Sequence, residues 1–168
     1  MIENYKQIVS LVADFSTCCK KRVGAIIVDN LGEIVASGYN KSIGESCTHY
    51  FGRVWDKVER HKPLMYNVEG KMVSPLNFEQ WRYNDPTFKE EHRIWSKQNE
   101  IHAEVHALSC FNPQHKNYNM IVTLEPCIEC AKTIIINGSI RKVYYINEFK
   151  KNSGIELLKK NLITVQKI

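Results

Sequence analysis

No unbroken apolar run in this 168-residue chain exceeds four residues, Ala25 to Val28 being one such run, so nothing in it is long enough to cross a bilayer as a helix. The opening residues, Met1-Ile2-Glu3-Asn4, lack the basic-then-apolar layout of an export signal, and the expected location is cytoplasmic. Glycine (8) and proline (5) are few, and the chain shows neither an internal repeat nor a low-complexity linker, which excludes collagen-like and disordered classes. With 43% hydrophobic and 24% charged residues, the composition is that of an ordinary globular chain. A chain of this size fits one domain, here residues 1–168, and can bury roughly 68–70% of its unfolded surface.

What is present narrows the function. Six cysteines in a reducing compartment read as metal ligands, nucleophiles or small core residues rather than disulfides. The formal charge of +5 is uneven: from Lys132 onward eight Lys or Arg face two Glu, a net of +6, while residues 1–131 carry 15 against 16. That tail is either a solvated basic face or an attraction for a phosphate-bearing ligand. Lys150, Lys151, Lys159 and Lys160 could follow a nucleic-acid backbone, but no interleaved aromatic platform accompanies them, so a nucleic-acid partner is not expected.

Ile2, Tyr5, Ile8, Val9, Val12 and Phe15 recur at helical spacing and predict an amphipathic first helix. Val23–Asp29 and Glu33–Ser37, joined by Asn30-Leu31-Gly32, predict a hairpin. Residues 47–98 show no sustained periodicity, yet hold nine of the 17 aromatics: Tyr50, Phe51, Trp55, Tyr66, Phe78, Trp81, Tyr83, Phe88 and Trp95. An aromatic-rich, packed insert is expected there. Asn99 is a plausible N-cap for a helix bearing Ile101, Val105 and Leu108. A strand at Met120–Leu124 precedes a helix with Pro126 in its first turn and Gly138 as its stop. A strand at Arg141–Ile146, a helix near Ile155–Lys160 and a strand near Leu162–Val165 follow. The alternation argues an α/β layered domain with a mainly parallel sheet after an antiparallel start.

The chemistry concentrates in His102-Ala103-Glu104 and Pro126-Cys127-Ile128-Glu129-Cys130. A catalytic zinc takes three protein ligands and keeps one position open, and one nitrogen with two thiolates is a known set. Cys127 and Cys130, three apart in a first helical turn, can face one metal, and the positive helix end favours their thiolates. Glu104, two residues after His102, points differently around the helix, as suits a proton carrier rather than a ligand. Alone, Cys-x-x-Cys is as readily a redox pair or half a structural zinc site, and His-Ala-Glu a solvated helix turn. Together, His-x-Glu followed by Pro-Cys-x-x-Cys is the signature of zinc-dependent nucleobase deaminases.

Beyond these motifs, Cys18-Cys19, Val23-Gly24-Ala25-Ile26-Ile27-Val28, Gly38-Tyr39-Asn40, Trp95, Lys97, Asn99-Glu100-Ile101 and Val122-Thr123-Leu124 resemble the deoxycytidylate deaminases, most of all their bacteriophage branch, from about residue 5 to 165. The resemblance implies a three-layer α/β/α cytidine-deaminase-like fold with a five-stranded mixed sheet, assembly into homohexamers, and hydrolysis of dCMP to dUMP and ammonia in support of dTMP synthesis. It implies a cytoplasmic protein, of a bacterium or of the host cell if phage-encoded. It assigns His102, Cys127 and Cys130 to a catalytic zinc and Glu104 to general acid/base work. Asn40 and the Ala103 backbone N–H would contact the nucleotide, and Arg22 is a candidate for its phosphate. A second, structural zinc would sit on Cys18, Cys47, His92 and Glu100 and pin the insert to the catalytic helix, with His49 the substitute for His92. Spacing alone makes those four residues an unremarkable scatter. His106 is expected to pack rather than to ligate, and Cys110 to be a small core residue.

Three rivals remain in view. The deaminases of riboflavin biosynthesis share His102-Ala103-Glu104-Val105-His106-Ala107-Leu108 and Thr123-Leu124-Glu125-Pro126-Cys127, but carry a long insertion between the zinc cysteines, which here are three apart. Another cytosine nucleotide, tRNA or single-stranded DNA is an alternative substrate, although tRNA deaminases lack so long an aromatic insert. A non-catalytic zinc-stabilised binding module would have no use for Glu104 beside an open coordination position. Finally, the loop Gly38-Tyr39-Asn40-Lys41-Ser42-Ile43-Gly44-Glu45 departs from the family's Gly-Tyr-Asn-Gly-x-Pro-x-Gly, in a region of its dCTP/dTTP control, so weakened regulation is expected.

Overall fold

A computed structural model describes residues 2–52, 86–114, 116–149 and 153–168. They divide into two compact units, one of Met1–Thr17, Arg22–Lys41 and Ile101–Ile168, the other of Cys18–Lys21 and Ser42–Glu100. The elements in chain order are α1 (Ile2–Asp14), β1 (Gly24–Val28), β2 (Ile34–Tyr39), β3 (Lys41–Ser42), α2 (Pro86–Asn99), β4 (Glu100–Ile101), α3 (Ala103–Ser109), β5 (Tyr118–Leu124), α4 (Ile128–Asn137), β6 (Ile140–Asn147), α5 (Ile155–Lys160) and β7 (Thr164–Lys167). Residues 47–52 are also helical. No helix among the described residues is long and apolar enough to cross a membrane.

The first unit is built on a five-stranded sheet in the order β2-β1-β5-β6-β7. β1 is antiparallel to β2 and to β5, whereas β5, β6 and β7 run parallel. Asp29 makes the hairpin turn, its Oδ1 accepting the Leu31 and Glu33 N–H groups at 2.9 and 2.8 Å, as an Asx turn does. Strand alternation then sorts the core into two layers. Ala25, Ile27, Met120, Val122 and Val143 face Ala103 and Ala107 of α3, Ala131 and Ile134 of α4, and Leu158 of α5. Ile26, Val28 and Ile121 face the other way, onto Val9 of α1. Every residue of β1 is buried, as expected of a strand covered on both sides, and Ile26, Ile27 and Val28 each contribute about 1.5–3 kcal/mol. The three-layer α/β/α arrangement, with its five-stranded mixed sheet, is thus the expected one.

The second unit packs Cys18, Cys19, Cys47, Phe51 and Phe88 together, with Tyr50 and Trp95 against them. Tyr50 and Trp95 stack at 5.5 Å between centroids, and Phe51 stacks on the His92 ring, also at 5.5 Å. Trp55, Tyr66, Phe78, Trp81 and Tyr83 of the expected insert lie outside the described residues, as do Lys150 and Lys151.

Several local expectations are corrected. Asn99 is not an N-cap; it is the last residue of α2, its Nδ2 donating to the Trp95 carbonyl at 2.9 Å, and the next helix begins at Ala103 after His102. Pro126 precedes the N-cap of α4 instead of lying in its first turn. The last strand begins two residues later than predicted, because Leu162 takes a positive φ of 62° and turns the chain. Cys110 is exposed, not in the core: α3 stops at Ser109, and Cys110 is its cap, off the apolar stripe. Gly138, as expected, closes α4 in the left-handed conformation at φ 71°.

Candidate active site and metal centres

His102 and Cys127 occupy equivalent places, each the extended N-cap of its helix, at ψ 155° and 170°. Both carbonyls accept the first helical hydrogen bonds, from the His106 and Ala131 N–H groups, each at 2.9 Å. Cys130 follows three residues into α4 and is buried. The three side chains converge: His102 Nδ1 lies 3.2 Å from Cys130 Sγ and 3.5 Å from Cys127 Sγ, and one ligand atom from each falls within 4.8 Å of the others. A tetrahedral zinc with its ordinary Zn–N and Zn–S bond lengths places such atoms ~3.5 Å apart. The set therefore fits that metal, with two thiols, one imidazole and no fourth protein ligand among the described residues.

The electrostatics agree. The hydrogen bond with Cys130 pulls Cys127 down to about 4, His102 adding to it, while burial opposes. Cys130 is pushed up by that same bond and by burial, so without metal the pair shares a proton and Cys127 holds the charge. Glu104 is only 4% exposed. Burial raises its carboxyl above the usual carboxylate range, against its own backbone N–H and His102, and it reaches the Cys130 thiol by a hydrogen bond.

Asn40 is buried and fixed at three points. Its Oδ1 accepts the Val23 N–H at 2.7 Å, its carbonyl accepts the Ser16 hydroxyl at 2.8 Å, and its N–H donates to the Val23 carbonyl at 3.0 Å. Arg22 is exposed and Ala103 fully buried. His106 is not a fourth ligand. Its Nδ1 accepts the Tyr39 N–H at 3.2 Å, and its ring meets Tyr39 edge-on at 4.9 Å, tying α3 to the end of β2. The same strand lies so close to α3 that a Cβ on Gly38 would fall 2.2 Å from the Ala107 nitrogen.

Within the second unit, Cys18, Cys47, His92 and Glu100 bring one ligand atom each within 4.8 Å of the rest. Cys18 Sγ and His92 Nε2 are 3.4 Å apart, again the separation of two ligands on one zinc, ~3.5 Å. Backbone N–H groups point at both sulfurs, Cys19 to Cys47 Sγ at 2.9 Å and Lys21 to Cys18 Sγ at 3.4 Å, favouring thiolates. Without a cation the thiols hold their protons. Cys18 is pushed up by Cys47 and burial; the Cys18 bond lowers Cys47, but Cys19 and burial outweigh it and carry it up to about 12. His49 is elsewhere, 3.3 Å from Glu45. Sequence reasoning overlooked the Cys19 and Lys21 donors, although the doubled cysteine before two lysines marks the turn that supplies them. It also gave Glu125 no role, although a carboxylate between a buried strand and Pro126-Cys127 is a signal in itself.

A family model described as "Cytidine and deoxycytidylate deaminase zinc-binding region" matches residues 1–147. Deoxycytidylate deaminase of Enterobacteria phage T2 is 33% identical over 162 residues, covering 87% of this chain and 79% of that protein. Deoxycytidylate deaminase of Enterobacteria phage T4 is 34% identical over 179 residues, covering 93% and 89%. Among solved structures, the dCMP deaminase of cyanophage S-TIM5, in complex with dCMP and dUMP, superposes with a TM-score of 0.62 at 25% identity, covering 99% of this chain and 96% of that one.

Proposed function

The chain belongs to the cytidine and deoxycytidylate deaminase family, and from that premise we propose that it hydrolyses dCMP to dUMP and ammonia, supplying the precursor of dTMP. The observation that carries the reading is the convergence of His102, Cys127 and Cys130 beside a buried Glu104. His102, Cys127 and Cys130 hold the catalytic zinc. When bound, it supplies a water acidified toward neutrality. Glu104 would accept a proton from the attacking water and deliver it to N3 of the cytosine as the C4–O bond forms. It would then take the proton of the new C4 hydroxyl and hand it to the amino group, which leaves as ammonia as the C4–N bond breaks and the C4 carbonyl forms. Burial suits it to both tasks, because a carboxyl raised above its usual range takes up a proton more readily than a solvated one and can return it.

Asn40, held by Val23 and Ser16, contacts the nucleotide, the Ala103 N–H helps to hold the base, and Arg22 is the candidate for the 5′-phosphate. Cys18, Cys47, His92 and Glu100 form a closed four-ligand structural zinc site. The chain acts as one domain over residues 1–168, in a homohexamer, in the cytoplasm of a bacterium or phage-infected cell. The test is release of ammonia with loss of cytosine absorbance, across dCMP, deoxycytidine, dCTP, CMP and a short single-stranded DNA. Preference for dCMP is expected; turnover confined to the DNA, or none in zinc-loaded protein, overturns the reading. Sedimentation then counts the subunits.

A further inference from the structure

The loop that delivers Cys127 is gripped from outside its own helix. Glu125 follows the last residue of β5, and its N–H donates to the Asn147 carbonyl at 2.8 Å. Its Oε2 accepts the Phe149 N–H at 3.0 Å. Asn147 returns a bond, Nδ2 to the Thr123 carbonyl, at 2.9 Å. One residue past Glu125, the Pro126 carbonyl accepts the Gly154 N–H at 2.8 Å, and Cys127 bridges Ser153. The approach is close: a Cβ on Gly154 would lie 2.7 Å from the Cys127 carbonyl oxygen and 2.5 Å from the Ala131 Cβ.

Among these contacts one is made by a side chain that burial penalises. Glu125 is 7% exposed, and taking a carboxylate out of water is costly unless it is hydrogen-bonded. An apolar residue would fill the same space without that cost, so packing alone does not account for it. What the carboxylate provides is an acceptor for the Phe149 N–H, and through it a fixed path for residues 125–127. We infer that Glu125 is a positioning residue, which through its bond to the Phe149 N–H orients Cys127 for metal binding. The inference rests on Cys127 being a zinc ligand. Partners beyond the ligands commonly govern metal affinity by ~10–100-fold.

The experiment is competition of zinc-loaded protein against a chromophoric chelator, with thermal unfolding followed in parallel. The phase belonging to this site is the one that Cys127→Ser abolishes; if Cys127→Ser keeps its full zinc, the ligand assignment fails and not the role of Glu125. Glu125→Ala is expected to weaken that phase by ~10–100-fold. Glu125→Gln, whose amide oxygen still accepts the Phe149 N–H, stays within about threefold of wild type if the acceptor is what matters. Val9→Ala, a cavity on the far face of the sheet, lowers stability and leaves zinc affinity unchanged. Wild-type affinity in Glu125→Ala, or an equal loss in Val9→Ala, would overturn the inference by making the role one of general stability. Should Glu125→Ala not fold, Glu125→Asp, which withdraws the carboxylate by one methylene, decides: weakened zinc binding supports positioning and wild-type binding overturns it.

Discussion

Replacing Gly38 by alanine perturbs α3, the helix that carries Glu104, without touching a proposed ligand. The new Cβ would lie 2.2 Å from the Ala107 nitrogen, 2.6 Å from the Ala103 carbonyl oxygen and 2.8 Å from the Ala107 Cα. All three are backbone atoms of α3, so no side chain can swing aside. Ordinary contact begins at 3.4 Å, and the helix must therefore retreat from β2 by about 1.2 Å. Overpacking on this scale costs about 1–3 kcal/mol, or a fall in Tm of roughly 2–12 °C for a chain of this size. The helix carries Glu104 and is capped by His102, and misplacing catalytic groups by ~1 Å can cost ~10²-fold in rate. The expected outcome is a kcat for dCMP reduced by about two orders of magnitude, with KM much less affected. Absorbance kinetics and scanning calorimetry on zinc-loaded protein measure both. A variant with kcat within threefold of wild type and an unchanged Tm would show that the strand and the helix are not held at this separation, and the reasoning would fail.

Glu104→Gln should lower turnover by ~10²–10⁴-fold while zinc content stays at the wild-type level; retention of a tenth of the wild-type rate would refute the proton-carrying role. Fully loaded protein should hold two zinc ions per chain by metal analysis, and Cys47→Ala should hold one and unfold at lower temperature. In chelator-stripped protein, Cys127, lowered to about 4 chiefly by its hydrogen bond with Cys130, is a thiolate above that pH. Its alkylation by iodoacetamide, mapped by mass spectrometry, should persist at pH 6 and fade only as the pH approaches 4. Saturation by dCMP should be hyperbolic without effector, given Lys41, Ile43 and Glu45 in the loop after β2; a sigmoidal curve that dCTP abolishes would show that regulation survives them.

The segment from Met120 to Gly138 was legible in the sequence because its signals agree, an apolar β-branched run, a proline close before the helix and a helix stop, although the strand starts two residues earlier, at Tyr118. The helix α2 was not, and the reason is His92. Counted as polar, it breaks the stripe; yet Phe88, His92 and Trp95 stand at helical spacing, and His92 is 4% exposed, packed between Phe51 and Phe88. With α2 unseen, Asn99 looked like a beginning when it is an end. The cluster of His102, Cys127 and Cys130 could be proposed from the sequence because its members fall on two short motifs with a fixed relation to helix starts. Cys18, Cys47, His92 and Glu100 span 83 positions and obey no local period, so only resemblance suggested them, and folding alone brings them within reach of one ion.

The sorting of strand side chains into two layers has an evolutionary consequence. The layer under α1, with Val9, Ile26, Val28 and Ile121, contains none of the residues proposed for chemistry, whereas the opposite layer includes Ala103, Ala107 and Ala131 from the two helices that present His102, Cys127 and Cys130. Substitutions beneath α1 alter how long the molecule survives; substitutions on the other side alter what it does. A lineage can therefore accumulate robustness on one side of a strand and spend it on the other, one residue away in the same sequence.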